Sequence, residues 1–520
     1  MQDPITATTV RVLRRLGCAV LAGPFLLLGP SSSALAGKWT VTPSISVRGT
    51  YTDNASLATL PTRGTFVTQV APKIHISGGG ARFKGKLDYT ADGVVYSNDV
   101  AKNKVANTLS GNGTLEAIEN FFYVDVLGNV HQTFLSPFAP QPSEVYSVTS
   151  NRAEARTFGI SPYLQGQVGQ ALSYQLRYRD TLTTSNSQLL ADTRTKEWRG
   201  RVASPIRLFG WALDYDDTRV TYVDNAIGKQ LSKLYRATVY FQPDVTLRLN
   251  LSAGREENNY FSLETRSNKI YGGGVTWKPT PLSSAEVQYE HRYFGASRSA
   301  KLQHRSRLSV WTLAYSRNAT TYQHALLTLP PGNIAALLDA ILSGSISDPA
   351  ARQAAVAQFL QANGLPAYLS SPATFYTQQV FLQENLDASV ALLGKRSSLL
   401  LDVFGSKNQA LTTNFNSAVP DAFALAQGSV IRQHGFGISA NHQLTGSTSL
   451  GASARRTYVR QDLPSSSEAR NDFFSLSLTR TLSPKTTTFA GFGYSRFTTE
   501  GTPPSTAQSR SVYVGLNHRF

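Results

Sequence analysis

Apolar and polar residues alternate one by one through most of this chain, in runs long enough to cross a bilayer as tilted strands. Ile45, Val47 and Tyr51 alternate with Ser44, Ser46, Arg48 and Thr50, and Phe83, Leu87 and Tyr89 with Lys84, Lys86 and Asp88. The same period of two recurs at 122–130, 172–179 and 245–254. Successive side chains of a strand point to opposite faces, so each run has one apolar and one polar side. Residues 511–520 follow suit. Val512, Val514, Leu516 and Phe520 share one face, and Ser511, Gly515, Asn517 and Arg519 share the other. His518 interrupts the apolar face where an interfacial position would tolerate it. A chain that stops on an aromatic after such a strand looks like an outer-membrane β-barrel closing its sheet. Taken alone, the stretch also fits an edge strand of a soluble sandwich.

The connections decide between these. One set is short and made of turn formers, as at Gly78-Gly79-Gly80, Ile118-Glu119-Asn120, Gln242-Pro243-Asp244, Leu444-Thr445-Gly446 and Leu482-Ser483-Pro484. The other is longer and polar, at 134–150, 411–428 and 501–507. Short turns on one rim and long loops on the other are the asymmetry of an outer-membrane barrel, the short ones facing the periplasm. The pattern predicts an all-β fold: one antiparallel transmembrane barrel over 37–520, with about 22 strands within a range of 18–24. If both ends lie in the periplasm the count is even, which calls for a short extra strand at 319–328, after a turn at Ser316-Arg317-Asn318.

One segment, about 330–372, changes period. Ile334, Leu337, Leu338, Ile341 and Leu342 follow the spacing of an apolar helix face. Asp348-Pro349 reads as an N-cap with proline at the first helical position, followed by Val356, Phe359 and Leu360 on one side and Gly364 as the stop. The predicted helical hairpin leaves the extracellular rim, and its apolar face is buried as a plug in the lumen, as a lid over the pore, or as a hairpin packed on the rim loops.

The first residues have the three parts of a secretory signal. Arg11, Arg14 and Arg15 are followed by the apolar stretch 16–28 and by Ala34-Leu35-Ala36, so cleavage after residue 36 is expected. The sole cysteine, Cys18, leaves with it, which excludes disulfides, thiol catalysis and cysteine-ligated metal from the mature chain. No later run is apolar enough for a transmembrane helix. Mean hydropathy is below zero, as a wall apolar only at alternate positions allows.

The formal charge of +17 points to polyanionic partners. Nucleic acid is not expected, because no zinc-ligand, helix-turn-helix or RNA-binding motif is present. With the apolar faces toward lipid, Arg177, Arg179, Arg199, Arg201, Arg236, Arg248, Arg455 and Arg519 point into the lumen. Trp198 and Val202 set the phase for Arg199 and Arg201, and Tyr235, Ala237 and Val239 set it for Arg236. Inward arginines favour anionic solutes. They also brace barrel walls against carboxylates, and Asp88, Asp125, Asp214, Asp216, Glu286, Glu290, Asp387 and Asp402 share the inward phase. The eight histidines are scattered, with no serine or aspartate beside them at a catalytic spacing. Tyr51-Thr52-Asp53-Asn54 lacks the ligand series of a calcium site. No enzyme activity, metal or cofactor is expected.

Several stretches carry a resemblance: Trp39 with Pro43, Tyr51-Thr52-Asp53-Asn54, Leu337-Leu338-Asp339-Ala340, Asp348-Pro349, Arg352, Gly364-Leu365-Pro366, and Ala391-Leu392-Leu393-Gly394-Lys395-Arg396. On these the chain resembles the outer-membrane β-barrel family associated with the PEP-CTERM/exosortase system of Gram-negative exopolysaccharide loci. The resemblance implies an outer-membrane location and a link to polysaccharide export or sorting; together with the inward arginines it leads to the expectation of a conduit or accessory pore in exopolysaccharide export. The expected partners are outer-membrane lipid and lipopolysaccharide, the barrel-assembly machinery through the C-terminal strand, an anionic exopolysaccharide and periplasmic export proteins. A general or anion-leaning diffusion porin and a non-conducting structural or adhesin-like barrel are the alternatives.

Overall fold

The computed structural model describes residues 38–520 apart from 60–61, 188–189, 224–228, 261–263, 412–429, 463–465, 501–503, and 322–379 except Asp339, Arg352 and Val356. It has 22 strands. The first eight are β1 (Lys38–Thr52), β2 (Thr65–Gly79), β3 (Phe83–Tyr96), β4 (Lys104–Ile118), β5 (Phe122–Phe134), β6 (Arg152–Val168), β7 (Leu172–Ser185) and β8 (Thr193–Ala203). Next come β9 (Phe209–Tyr222), β10 (Gln230–Asp244), β11 (Leu247–Asn258), β12 (Arg266–Thr280), β13 (Ser283–Arg292), β14 (Gly295–Arg305) and β15 (Ser309–Thr320). The last are β16 (Phe381–Leu393), β17 (Ser397–Ala410), β18 (Val430–Gln443), β19 (Thr448–Gln461), β20 (Ser467–Ser483), β21 (Thr486–Glu500) and β22 (Ser505–Arg519).

Each strand pairs antiparallel with its sequence neighbours, and β22 returns to β1 from Ser44↔Arg519 to Thr52↔Ser511, so the sheet closes without an edge. Val512 and Val514, each 60% exposed, face lipid, while Ser509 and Ser511 on the opposite face are buried. His518 stays on the outer face near the rim, 4.9 Å from the Phe520 ring. Aromatic pairs ring the outer wall at two heights. Trp39–Phe83 and Phe209–Phe241 mark the short-turn rim, and Tyr178–Trp198, Tyr215–Tyr235 and His434–Tyr458 the other. These are the girdles of a membrane-spanning barrel.

No connection on the periplasmic rim is longer than 204–208, whereas the opposite rim carries 53–64, 135–151, 321–380 and 411–429. Asn120 (φ 53°) and Gly169 (φ 56°) take the left-handed conformation that the tight turns 119–121 and 169–171 need. Register shifts at Glu116/Ile118, Phe241/Asp244, Trp277/Thr280 and Thr481/Ser483 all sit at this rim, where an extra residue tightens the hairpin.

The strand count is as expected, but one boundary is not. Ser316-Arg317-Asn318 forms no turn: it continues β15, paired in register with β16 from Ser316↔Asn385 to Thr320↔Phe381. Those residues are polar because this end of the strand rises above the lipid, so no extra strand is needed for parity; 322–328 lie outside the described residues. The predicted helical hairpin also falls outside them, including Ile334, Leu337, Leu338, Ile341, Phe359 and Leu360. Of that insert only three positions are described, each with helical backbone: Asp339, Arg352 and Val356. Arg352 Nε lies 2.7 Å from Asp339 Oδ1, and Val356 is buried.

Among the described residues two of the apolar clusters lie at the extracellular mouth. One cluster joins Ala55, Val67, Val94, Tyr96 and Tyr146; another joins Phe381, Ile431, Val459, Ala469 and Phe497.

Candidate functional site: the lumen and the loop across its mouth

The alternating pattern puts Arg-x-Arg on β7 (177, 179) and β8 (199, 201) and Asp-x-Asp on β9 (214, 216), all on the lumenal face. Register then turns these triplets into a ladder. Arg201 stands opposite Asp214 and pairs at 2.7 Å; Arg199 stands opposite Asp216, at 3.3 Å. Arg179 and Arg199 both lie 3.5 Å from Glu197. Arg177 reaches Asp125 at 2.6 Å while its guanidinium lies 3.8 Å from the Tyr163 ring centroid. Arg236 holds Glu290 through two hydrogen bonds of 2.7 and 2.8 Å, and Arg292 bridges Glu256 at 2.5 Å and Glu290 at 3.5 Å. Opposite charges facing each other across a pleated surface brace the wall from β5 to β13.

The other three predicted arginines are placed differently. Arg248 lies 5.8 Å from the Tyr240 ring centroid, Arg455 lies 5.6 Å from that of Phe473, and Arg519 is exposed at the periplasmic rim. Among the described residues Arg248 and Arg519 form no ion pair, and neither do Lys73, Lys84 and Lys301 on the same lumenal face. All five lie in the periplasmic half of the lumen.

The chief feature that periodicity did not reveal is the loop 135–151. Its base is tied by Asn151, whose Oδ1 accepts from Ser136 N at 2.7 Å and whose Nδ2 donates to the Ser136 carbonyl at 2.9 Å. Arg152 donates to the carbonyls of Pro142, Glu144 and Val145. The loop then leaves its own hairpin. Glu144 pairs with Arg48 of β1 at 2.9 Å, and Asn471 of β20 donates to the Gln141 carbonyl. Phe138 packs against the cluster built from β16, β18, β19, β20 and β21. On the near side Tyr146 is buried among Ala55, Val67, Val94 and Tyr96, and Tyr96 Oη donates to its carbonyl. Burial pushes the Tyr146 phenol up to about 12, so it stays neutral. The loop therefore spans the mouth of the barrel. Apolar residues inside an otherwise polar connection (Leu135, Phe138, Val145 and Tyr146) are the one sequence signal that marked it.

Deeper in the wall, Asp387 and Asp402 face the lumen at 2% exposure. Among the described residues Asp387 Oδ1 and both Asp402 carboxylate oxygens have no hydrogen-bond partner. Gly437, opposite both Asp402 and Arg455, leaves room for the Asp402 carboxylate above its backbone. Asp387 has no such relief. Asp387→Asn is expected to raise stability by about 1–2 kcal/mol, read as a higher urea midpoint, because it removes a buried unpaired charge. A lowered midpoint would mean the charge is held by a group not yet identified.

No family profile and no curated protein matches the chain. Among solved structures it is similar to the ferric enterobactin receptor PfeA of Pseudomonas aeruginosa, at 10% identity and a TM-score of 0.47, over 92% of this chain and 80% of that one. It is also similar to the siderophore receptor PirA of Acinetobacter baumannii, at 8% identity and a TM-score of 0.47, over 92% and 80%. The outer membrane protein OmpT of Vibrio cholerae, in a form lacking loop L8, gives 8% identity and a TM-score of 0.29, over 93% and 100%. Likeness at this level carries no functional argument. The closed 22-strand sheet, its girdles and its unequal rims make the protein an outer-membrane-type β-barrel in their own right.

Proposed function

We propose that the barrel is a conduit for an anionic exopolysaccharide, gated at its extracellular mouth. The observation that carries this reading is the set of lumenal cations in the periplasmic half that form no ion pair among the described residues: Lys73, Lys84, Arg248, Arg519, and Lys301, which stands opposite Glu286 without contact at ion-pair distance. An outgoing polymer enters there, and unpaired positive charge in a low-dielectric channel raises the local concentration of a polyanion. The braced arginines from Arg177 to Arg236 add rigidity with little net field. The resemblance to exopolysaccharide-locus barrels supports the same polymer class. The plug or lid role of the insert belongs to this reading too, and deletion of 333–363 tests it separately.

The test is single-channel recording of the mature barrel in a planar bilayer under a salt gradient. The expected result is anion preference, which Lys84→Gln, Arg248→Gln and Lys301→Gln together abolish. Polyuronate oligomers added on the short-turn side should block the current transiently, while neutral dextrans of equal length should not. No anion preference would replace this reading with a plain diffusion porin. The loop across the mouth gives the non-conducting scaffold a specific footing, and silence even after that loop is removed would establish it.

A further inference from the structure

The outer wall from β7 to β11 is not smooth. A hollow of about 700 Å³ opens there where Gly200, Ala237 and Ala253 sit between larger neighbours. Its apolar sides come from lipid-facing positions in two adjacent hydrogen-bonded rows, and the lumen-facing residues between those rows, among them Arg201, Asp214 and Arg236, form its floor. The lower row runs Tyr174, Val202, Leu213, Ala237, Ala253, and the upper runs Leu176, Gly200, Tyr215, Tyr235, Arg255. The Tyr215 and Tyr235 rings lie 5.1 Å apart, tilted at 42°, in the girdle nearer the long loops, so the upper row meets that girdle while the lower row descends toward the short-turn rim at Tyr174 and Val202.

Immediately beyond Tyr235 the upper row becomes cationic. Arg255 and Lys269 stand directly opposite each other in the β11–β12 register, both on the outer face. Like charges in that position repel unless an anion lies between them. Arg255 is 63% exposed, with Glu257 only at 3.5 Å, and Lys269 forms no ion pair among the described residues. Arg255 Nε donates to Ser267 Oγ, which holds the guanidinium along the wall.

We infer that this is a binding site for a phosphorylated glycolipid of the outer leaflet, of the lipid A type. One acyl chain fills the hollow, and a phosphate bridges Arg255 and Lys269. A void facing lipid forfeits dispersion contacts on one side, so a chain seated in it gains what a flat wall would not offer. The phosphate relieves the repulsion at the cation pair and accepts charge-assisted hydrogen bonds from both. The hollow is continuous with the lipid-facing band, and its cations lie on the headgroup side of it.

The test uses the barrel extracted from outer membranes in mild detergent, with retained lipid read by native mass spectrometry. The wild type should carry one glycolipid, and Arg255→Gln with Lys269→Gln should lower occupancy roughly ten-fold, as loss of a bidentate charged contact does. Ala237→Leu, which fills the hollow and keeps the charges, should do the same. Arg460→Gln, elsewhere on the outer wall, should leave occupancy unchanged. Heat-modifiable migration shows that each variant is folded. Delipidated barrel should also prefer lipid A over its dephosphorylated form. Equal retention by all variants, equal binding of the dephosphorylated lipid, or equal binding of phosphatidylglycerol would each overturn the assignment.

Discussion

A barrel carrying Phe138→Ala and Glu144→Gln is expected to open far more often than the wild type. Phe138 anchors the mouth loop to the far wall, and Glu144 pairs with Arg48, whose guanidinium also lies 3.9 Å from the Tyr513 ring centroid. Trimming a half-buried phenylalanine costs about 2 kcal/mol, and replacing a partly buried carboxylate by its amide costs about 1. Together they raise the population of released loops roughly a hundred-fold. The wall is untouched, so thermal stability should hold while open probability in a planar bilayer rises. Unchanged conductance in this variant would show that the loop does not obstruct the path. High salt should act in the same direction as Glu144→Gln, though more weakly, because a part-buried pair is only partly screened.

The largest stability effect is expected at the top of the lumenal ladder, between β11 and β13. Glu256 is 3% exposed and depends on Arg292, itself 20% exposed, at 2.5 Å; it also accepts the Tyr293 amide at 2.6 Å. Arg292→Met leaves that carboxylate buried without its cation, which costs about 3–5 kcal/mol. Adding Glu256→Leu should recover most of the loss, minus about 1 kcal/mol for the orphaned Tyr293 amide. Arg201→Met is the contrast. Its guanidinium is 49% exposed, so solvent screens the pair with Asp214 and the loss should stay under about 1 kcal/mol. Urea midpoints of the three variants decide the matter. Equal losses at Arg292 and Arg201 would mean that depth in the lumen does not set the strength of the ladder.

Much of this architecture is legible along the chain because lipid imposes it locally. A residue that faces the bilayer must be apolar and its neighbour need not be, so periodicity alone gives the strands, the phase and the inward side of Arg177, Arg199 or Arg236. Turn chemistry at Gly78-Gly79-Gly80 or Leu482-Ser483-Pro484 likewise needs no distant partner. The same rule misleads where it ceases to apply. Above the lipid, Ser316, Arg317 and Asn318 are free to be polar and look like a turn while remaining strand.

What the sequence by itself determined is therefore everything set within one strand and one hairpin: the barrel class, the approximate number of strands, the unequal rims and the orientation of side chains. Only the tertiary structure decided who meets whom. Arg236 finds Glu290 three strands away, Arg177 finds Asp125 two strands away, and the loop 135–151 finds Arg48, Asn471 and the cluster around Phe381. Whether an inward arginine attracts an anion or braces a wall depends on those partners. Register and closure fix them over separations that no local pattern records, because each strand's position depends on every turn before it and on the β1–β22 seam.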